Sequence, residues 1–495
     1  MNKNIKLNYD TYLDKVYACW LGKNIGGTMG TPYEGKREIL DIKGFATKPN
    51  EVLPNDDLDL QLVWLNAVER SGPYAINSTL LGEYWLSYIG PHWNEYGLGK
   101  ANMKRGLLPP LSGDYENDWK HSNGAWIRTE IWACLAPAVP SAAAKYAIED
   151  AVVDHGTGEG TYAAAFVAAM QSAAFVVSDI DKAIEIGLAS IPADCRLAQS
   201  IKLLYECYES GMPAMEARER VRLANADIGD GWFEAPSNVT YAVLGMLWGK
   251  GDFKKSMITA INCGDDTDCT GATVGATLGI LGGMAAIPTD WKEHLGDKIV
   301  TVSVDAGTLY GLPTTCTDLT KRVAHMAPAV LIANTDNVSL TDGESEIPED
   351  IVDVFLADKT VITRLEGMKP NSFSVEAPYM TVTVTYADQP EIAPEGECKL
   401  TLTFKNKTHG SHKRGPFGNM PYILTLRWLG TDGFTVEGKK CVRMPHKNSH
   451  YPTASASIDV TIRAGECVEA INRLVLEVRA EGRCIPTYVP ITLIG

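Results

Sequence analysis

Gly264-Asp265-Asp266-Thr267-Asp268 is the stretch from which the fold can be read, together with the small-residue run that follows it from Thr270 to Ala286. Three carboxylates in four residues repel one another, most strongly where water is scarce. The run behind them (Gly271, Ala272, Gly275, Ala276, Gly279, Gly282, Gly283, Ala285 and Ala286) is apolar enough to be buried and small enough for close helix packing. The acids therefore sit at the mouth of a buried helix, whose N-terminus favours negative charge. Hard oxygen donors at such a point suit Mg²⁺ or Mn²⁺ better than Zn²⁺. An N-cap with solvated neighbours is the plainer reading of the same residues.

Pro54-Asn55-Asp56-Asp57 precedes Leu58, Leu62 and Leu65, an i, i+4, i+7 stripe. Asn55 is a good N-cap and acids suit a first helical turn, so capping alone accounts for these residues. Two acid-headed helices that meet in space would nevertheless supply four carboxylates (Asp56, Asp57, Asp266 and Asp268), enough for a two-metal site. Upstream, Tyr12, Val16 and Cys19 predict an opening amphipathic helix. It runs into Gly22, Gly26 and Gly30, which would let another helix backbone approach, until Pro32 breaks the pattern and leaves Glu34 just past the end. Residues 90–125 read as a long irregular excursion leading to Ser122-Asn123-Gly124-Ala125. An array of Ala-rich helices then spans 130–250, with His155 before the turn Gly156-Thr157-Gly158-Glu159-Gly160. Such a turn can cradle phosphate, but the pattern is weak; a histidine there is more often a partner of the helix C-terminus.

The 495 residues suggest two or three domains. A net charge of −16 argues against nucleic acid and anionic membrane as partners. Residues 1–10 lack the apolar core of a signal peptide, and eleven cysteines carry no regular spacing, so reduced thiols in the cytoplasm are expected. Cys269 to Thr289 is uncharged and long enough to span a bilayer, yet its Gly, Ala and Thr content and its acidic head favour a buried core helix. Helical character continues to about residue 330. We place a helical domain at 1–335, a linker at 336–350 and a β-rich domain at 351–495. There the period becomes two over Met380–Tyr386, 399–404, 422–428, 458–462, 474–478 and 489–493, an antiparallel β-sandwich. A basic loop, His409-Gly410-Ser411-His412-Lys413-Arg414, lies within it.

Residues 8 to about 330 resemble the ADP-ribosylglycohydrolase family. The resemblance rests on an ordered set of segments: Gly22…Gly26…Gly30-Thr31-Pro32-Tyr33-Glu34, then Asn55-Asp56-Asp57, then Asn123-Gly124-Ala125 with His155 and the 160–175 helix, then Gly264-Asp265-Asp266-Thr267-Asp268. It implies an all-α domain, with the sandwich lying outside it, and a site for two Mg²⁺ (or Mn²⁺) ions that bind ribose hydroxyls beside the scissile bond. It further implies that Asp56, Asp57, Asp266 and Asp268 hold the metals, Asn55 retaining an amide oxygen as a ligand. Glu34 would line or gate the site, and Asn123, Gly124 and His155 would contact substrate. The family's Ser/Thr before the first Asp pair is Asn55 here, its Ser/Thr after the last Asp is Cys269, and the Asp usual in the first glycine motif is Gly27. The resemblance thus implies a metal-dependent hydrolase of a small-molecule glycoside or ADP-ribosylated substrate, with Glu34, Asp56 or Asp57 as general base or charge shield. The alternative is a non-catalytic binder that kept the fold.

Overall fold

The computed structural model describes residues 4–229, 231–304, 309–407, 422–445 and 454–495. The described residues divide into two compact units, one of residues 1–100 and 117–367, the other of 101–116 and 368–495.

The helical unit is organised around two antiparallel helices, Tyr9–Gly30 and Thr267–Gly282. Asn8 caps the first, its Oδ1 accepting the Thr11 N–H at 2.9 Å. The pairing is set by glycines on both sides. A Cβ on Gly22 would lie 2.2 Å from the Gly275 carbonyl oxygen, one on Gly26 2.0 Å from that of Gly271, and one on Gly279 2.3 Å from that of Ala18. The two backbones are therefore in direct contact, as the glycine spacing predicts. The opening helix is amphipathic only at its start. From Ala18 to Gly30 every residue is buried, including Lys23 and Asn24, because helices pack on all sides of it.

Three boundaries differ from the sequence reading. The excursion at 90–125 contains helices Asn94–Arg105 and Leu111–Asp114. Within it, Leu107, Leu111 and Tyr115 belong to the core of the second unit. The segment 336–350, expected as a linker, carries strand β2 (Val338–Thr341), which pairs in parallel with β1 (Ile5–Asn8) in the register Ile5↔Val338. Its polar composition conceals the short alternation of Val338 and Leu340 that this pairing uses. Helices Ile351–Ala357 and Thr360–Glu366 also fall in the helical unit, where Ile351 shares a small core with Ile5, Leu7 and Val338. The division falls after Gly367, not at 350.

The second unit is a β-sandwich. Strands β3 (Ser372–Glu376), β4 (Met380–Tyr386), β5 (Glu397–Asn406), β6 (Tyr422–Leu429), β7 (Phe434–Gly438), β8 (Cys441–Met444), β9 (Ser455–Ala464), β10 (Ile471–Ala480) and β11 (Thr487–Ile494) form two antiparallel sheets. Their orders are β3-β4-β5-β9-β7 and β11-β10-β6-β8. Alternate residues such as Val382, Val384, Leu400, Leu402, Leu474 and Leu476 fill the shared core, the period-two pattern that a sheet with one buried face requires. The basic loop 409–414 lies outside the described residues. Among those described, no single helix is long and apolar enough to cross a membrane, and the uncharged stretch after Asp268 is buried helix.

Candidate functional site

The glycine contact determines where the acids go. Because the two long helices touch, the C-terminal end of the first lies against the N-terminal end of the second: a Cβ on Gly30 would sit 2.3 Å from the Thr267 carbonyl oxygen. The chain after Gly30 then pairs with the acidic segment. Gly35 N–H donates to the Asp265 carbonyl at 2.9 Å, and Asp265 N–H to that of Lys36 at 2.6 Å. Gly264 and Asp265 take left-handed backbone, φ +74° and +68°, which turns the chain sharply into the helix. Glu34 is thereby delivered beside Asp266 and Asp268.

The carboxylates converge. Ligand atoms of Glu34, Asp266 and Asp268 lie within 4.8 Å of one another, and so do those of Asp57, Asp268 and Cys269. Asp268 is common to both groups. Asp57 Oδ2, Asp266 Oδ1 and Asp268 Oδ1 are buried with no hydrogen-bond partner among the described residues. Buried polar atoms are normally paired, and the residues that carry these three oxygens belong to the groups that could hold a metal ion. Asp56 is half-buried and accepts the Tyr96 hydroxyl at 2.9 Å. The chemistry of the set, carboxylate oxygens around a small space, fits divalent metal ions.

Crowding raises proton affinity throughout. Asp268, then burial and Asp56, push Glu34 up to about 8. Burial, then Asp268, pushes Asp56 up to about 6. Burial and the neighbouring carboxylates also raise Asp57 and Asp266, and burial raises Asp268. Without divalent cations, folded Glu34 and Asp56 hold protons at pH values where the unfolded chain, at 4.5 and 3.8, has released them. In chelator these two groups are therefore expected to cost least near about pH 4 and to destabilise the fold progressively as pH rises towards about 8. Melting curves across that range test this, and saturating Mg²⁺ or Mn²⁺ should flatten the slope by neutralising the cluster.

The other expected site residues are placed as follows. Asn55 caps helix Asp56–Ser71, its Oδ1 accepting the Asp57 N–H at 2.8 Å. Its amide nitrogen fills the space at Gly27, where a Cβ would lie 2.1 Å away. A side chain at position 27 and Asn55 in this rotamer exclude each other. Asn123 joins the acids: its Nδ2 donates to Asp266 Oδ2 at 2.6 Å while its Oδ1 accepts from Trp126 Nε1 at 3.0 Å. It orients a carboxylate from a buried position, 3% exposed. Gly124 leaves room for Glu95, whose Oε1 would be 2.2 Å from an added Cβ. His155, expected against substrate, is fully buried. It lies 2.9 Å from Asp154 Oδ1 and 3.2 Å from Ser122 Oγ, under Gly160, and does not join the carboxylates. Asp154 in turn accepts from Arg128, which also binds Asp150.

Four residues that the sequence reading passed over complete the site. Tyr96 holds Asp56. Asp59 accepts the Ser303 N–H at 2.7 Å and the Val302 N–H. Lys23 and Glu130, both buried, form an ion pair at 3.1 Å directly behind Asp57. Burial opposes charge on Lys23, but Glu130 and Asp57 outweigh it and hold its pKa above the usual value. A lysine inside a glycine-rich helix motif is the one signal that was available: it must find a buried anion. Asp265, by contrast, faces away, accepting from Asn238 Nδ2 at 3.0 Å and Phe233 N–H at 3.2 Å.

No curated protein matches the sequence. A solved structure described as an ADP-ribosylglycohydrolase-related protein complex is similar at 19% identity and a TM-score of 0.41, covering 66% of this chain and 100% of that one. The ADP-ribosylglycohydrolase family matches residues 8–324, which take in the glycine helices, both acid-headed segments and Asn123. The chain belongs to the ADP-ribosylglycohydrolase family.

Proposed function

We propose that the protein is a divalent-metal-dependent glycohydrolase whose site is built by Glu34, Asp56, Asp57, Asp266 and Asp268. The observation that carries this reading is the three unpaired buried oxygens of Asp57, Asp266 and Asp268, residues of two ligand groups that share Asp268, each with ligand atoms within 4.8 Å. When bound, Mg²⁺ or Mn²⁺, as two ions, would supply Lewis acidity and a fixed grip on vicinal sugar hydroxyls. Asp57, Asp266 and Asp268 would provide the ligands from rigid helix starts. Asn123 would keep Asp266 turned inward, and Lys23 would balance part of the charge of Asp57.

The proton-transfer role divides by access. Asp57 is fully buried and accepts the Cys269 S–H at 3.4 Å, so it suits a ligand rather than a base. Asp56 is half-buried, oriented by Tyr96, and is the better base for an attacking water. Glu34 is exposed and stands at the rim, where its carboxylate would shield an oxocarbenium-like centre or take part in gating. The substrate is either an ADP-ribosyl group, N- or O-linked, or another pentosyl or glycosyl bond.

A hydrolysis screen with Mg²⁺ or Mn²⁺ tests the proposal, spanning ADP-ribosyl-arginine, ADP-ribosyl-serine, ADP-ribose and aryl pentosides and hexosides. Turnover is expected with at least one, and Asp57→Ala and Asp266→Ala should remove it. Activity that survives both changes rules out this site. The exchange of the family's hydroxyl residues for Asn55 and Cys269 favours a second reading, a binder that kept the fold. Absence of both turnover and a calorimetric signal with Mg²⁺, Mn²⁺ or Ca²⁺ would select it.

A further inference from the structure

The two ligand clusters differ in kind. Glu34, Asp266 and Asp268 offer oxygen alone, with Glu34 exposed at the edge. Asp57, Asp268 and Cys269 offer two oxygens and a sulfur, and all three residues are buried. The sulfur faces its partners because Cys269 follows Asp268 in the first turn of helix Thr267–Gly282, with its S–H already directed at Asp57 Oδ1. Asp57 Oδ2 and Asp268 Oδ1 are unpaired in the same space. Sulfur is a poor donor for Mg²⁺ and a good one for Zn²⁺ and Co²⁺, whereas carboxylate oxygens suit Mg²⁺ and Mn²⁺.

We propose that the Asp57–Asp268–Cys269 position is a thiophilic cation site that takes Zn²⁺ or a similar ion, while the Glu34–Asp266–Asp268 position takes a hard ion. This rests on the metal-site reading above and adds selectivity between its two positions. On binding, the Cys269 S–H bond breaks, its proton passes to solvent, and a sulfur–metal bond forms with no change of oxidation state. The hydrogen bond to Asp57 is lost and both Asp57 oxygens become available to the ion.

Co²⁺ is the probe, added to the metal-stripped full-length chain. A thiolate-to-Co²⁺ charge-transfer band in the near ultraviolet is expected to saturate with a single equivalent. Zn²⁺ should displace it, and millimolar Mg²⁺ should not. Cys269→Ser, nearly isosteric, should lose the band and weaken Zn²⁺ binding by at least about tenfold, the cost of removing even an outer-shell partner, while its Mg²⁺ affinity is retained or improved. Asp266→Asn should keep the band and lose the Mg²⁺ response. Co²⁺ binding by calorimetry with no band overturns the proposal and leaves the metal site intact. A band unchanged in Cys269→Ser also overturns it, assigning the signal to the exposed Cys441, Cys467 or Cys484. Failure of every cation to bind overturns the metal-site reading itself.

Discussion

Gly26→Val is expected to abolish the cooperative melt of the helical unit. A Cβ at position 26 would lie 2.0 Å from the Gly271 carbonyl oxygen and 2.1 Å from its carbon. Both obstacles are backbone, so no rotamer change relieves the clash and the helices must separate. Overpacking a close-packed interior costs about 1–3 kcal/mol where side chains can adjust, and more where they cannot. The separation would act on the whole length of the pair, since Gly22 and Gly279 make the same contact on either side. It would also carry Glu34 and Asp268 apart, because both stand at the end of this crossing. Gly26→Ala should fold but melt far lower and respond weakly to Mg²⁺. Gly44→Ala is the control, since nothing lies within 4 Å of an added Cβ there. Thermal unfolding followed by circular dichroism decides the matter. A Gly26→Ala melt within about 1 °C of the parent, about 1 kcal/mol for a chain of this size, would show that the crossing is not close-packed.

The same geometry explains what the sequence made legible. Glycines at 22, 26 and 30 and at 271, 275 and 279 repeat at helical spacing, and only a backbone-to-backbone contact needs so many of them on one face. The acids at 56, 57, 266 and 268 head helices, and like charges gathered at such points suggest a cation to hold them. Both features are local in the sequence, and each constrains its partner in space. The supporting residues give no such sign. Tyr96 reaches Asp56, Glu130 reaches Lys23, and Ser303 reaches Asp59 across long stretches of chain, in pairs that any soluble protein would spell with the same letters. The burial of His155 is hidden for the opposite reason. A histidine beside a glycine turn reads the same whether it faces a ligand or is sealed behind Gly160, and the packing that seals it comes from other segments. Residues 101–116 show a third limit. The spacing of Leu107, Leu111 and Tyr115 marks an apolar face, but not that the face belongs to a sandwich core whose strands begin more than 250 residues later.

Asp268→Asn should invert the order of stability with and without metal. Asp268 belongs to both ligand clusters and is the group that most raises Glu34, as well as raising Asp56, Asp57 and Asp266. In chelator, its neutral amide removes the like charge on which that repulsion depends, and an amide of nearly the same shape remains in place. The variant is therefore expected to melt above the parent chain at neutral pH and to show a shallower form of the pH slope described for the carboxylate cluster, since burial still raises Asp56. With cation present the comparison reverses. A ligand at 100 times its dissociation constant adds about 2.7 kcal/mol to the folded state, and only the parent keeps both positions complete. Hydrolysis by the variant should fall below detection, because neither ion would retain its shared ligand. Differential scanning calorimetry of both proteins, in chelator and in saturating Mg²⁺ or Mn²⁺, measures the inversion directly. If the variant melts lower in chelator, Asp268 is held by unseen partners rather than by repulsion. If it gains as much from metal as the parent does, the ions bind elsewhere. In either case the convergence of the two acid-headed helices would be an architectural feature of the fold, with the chemistry to be sought at another site.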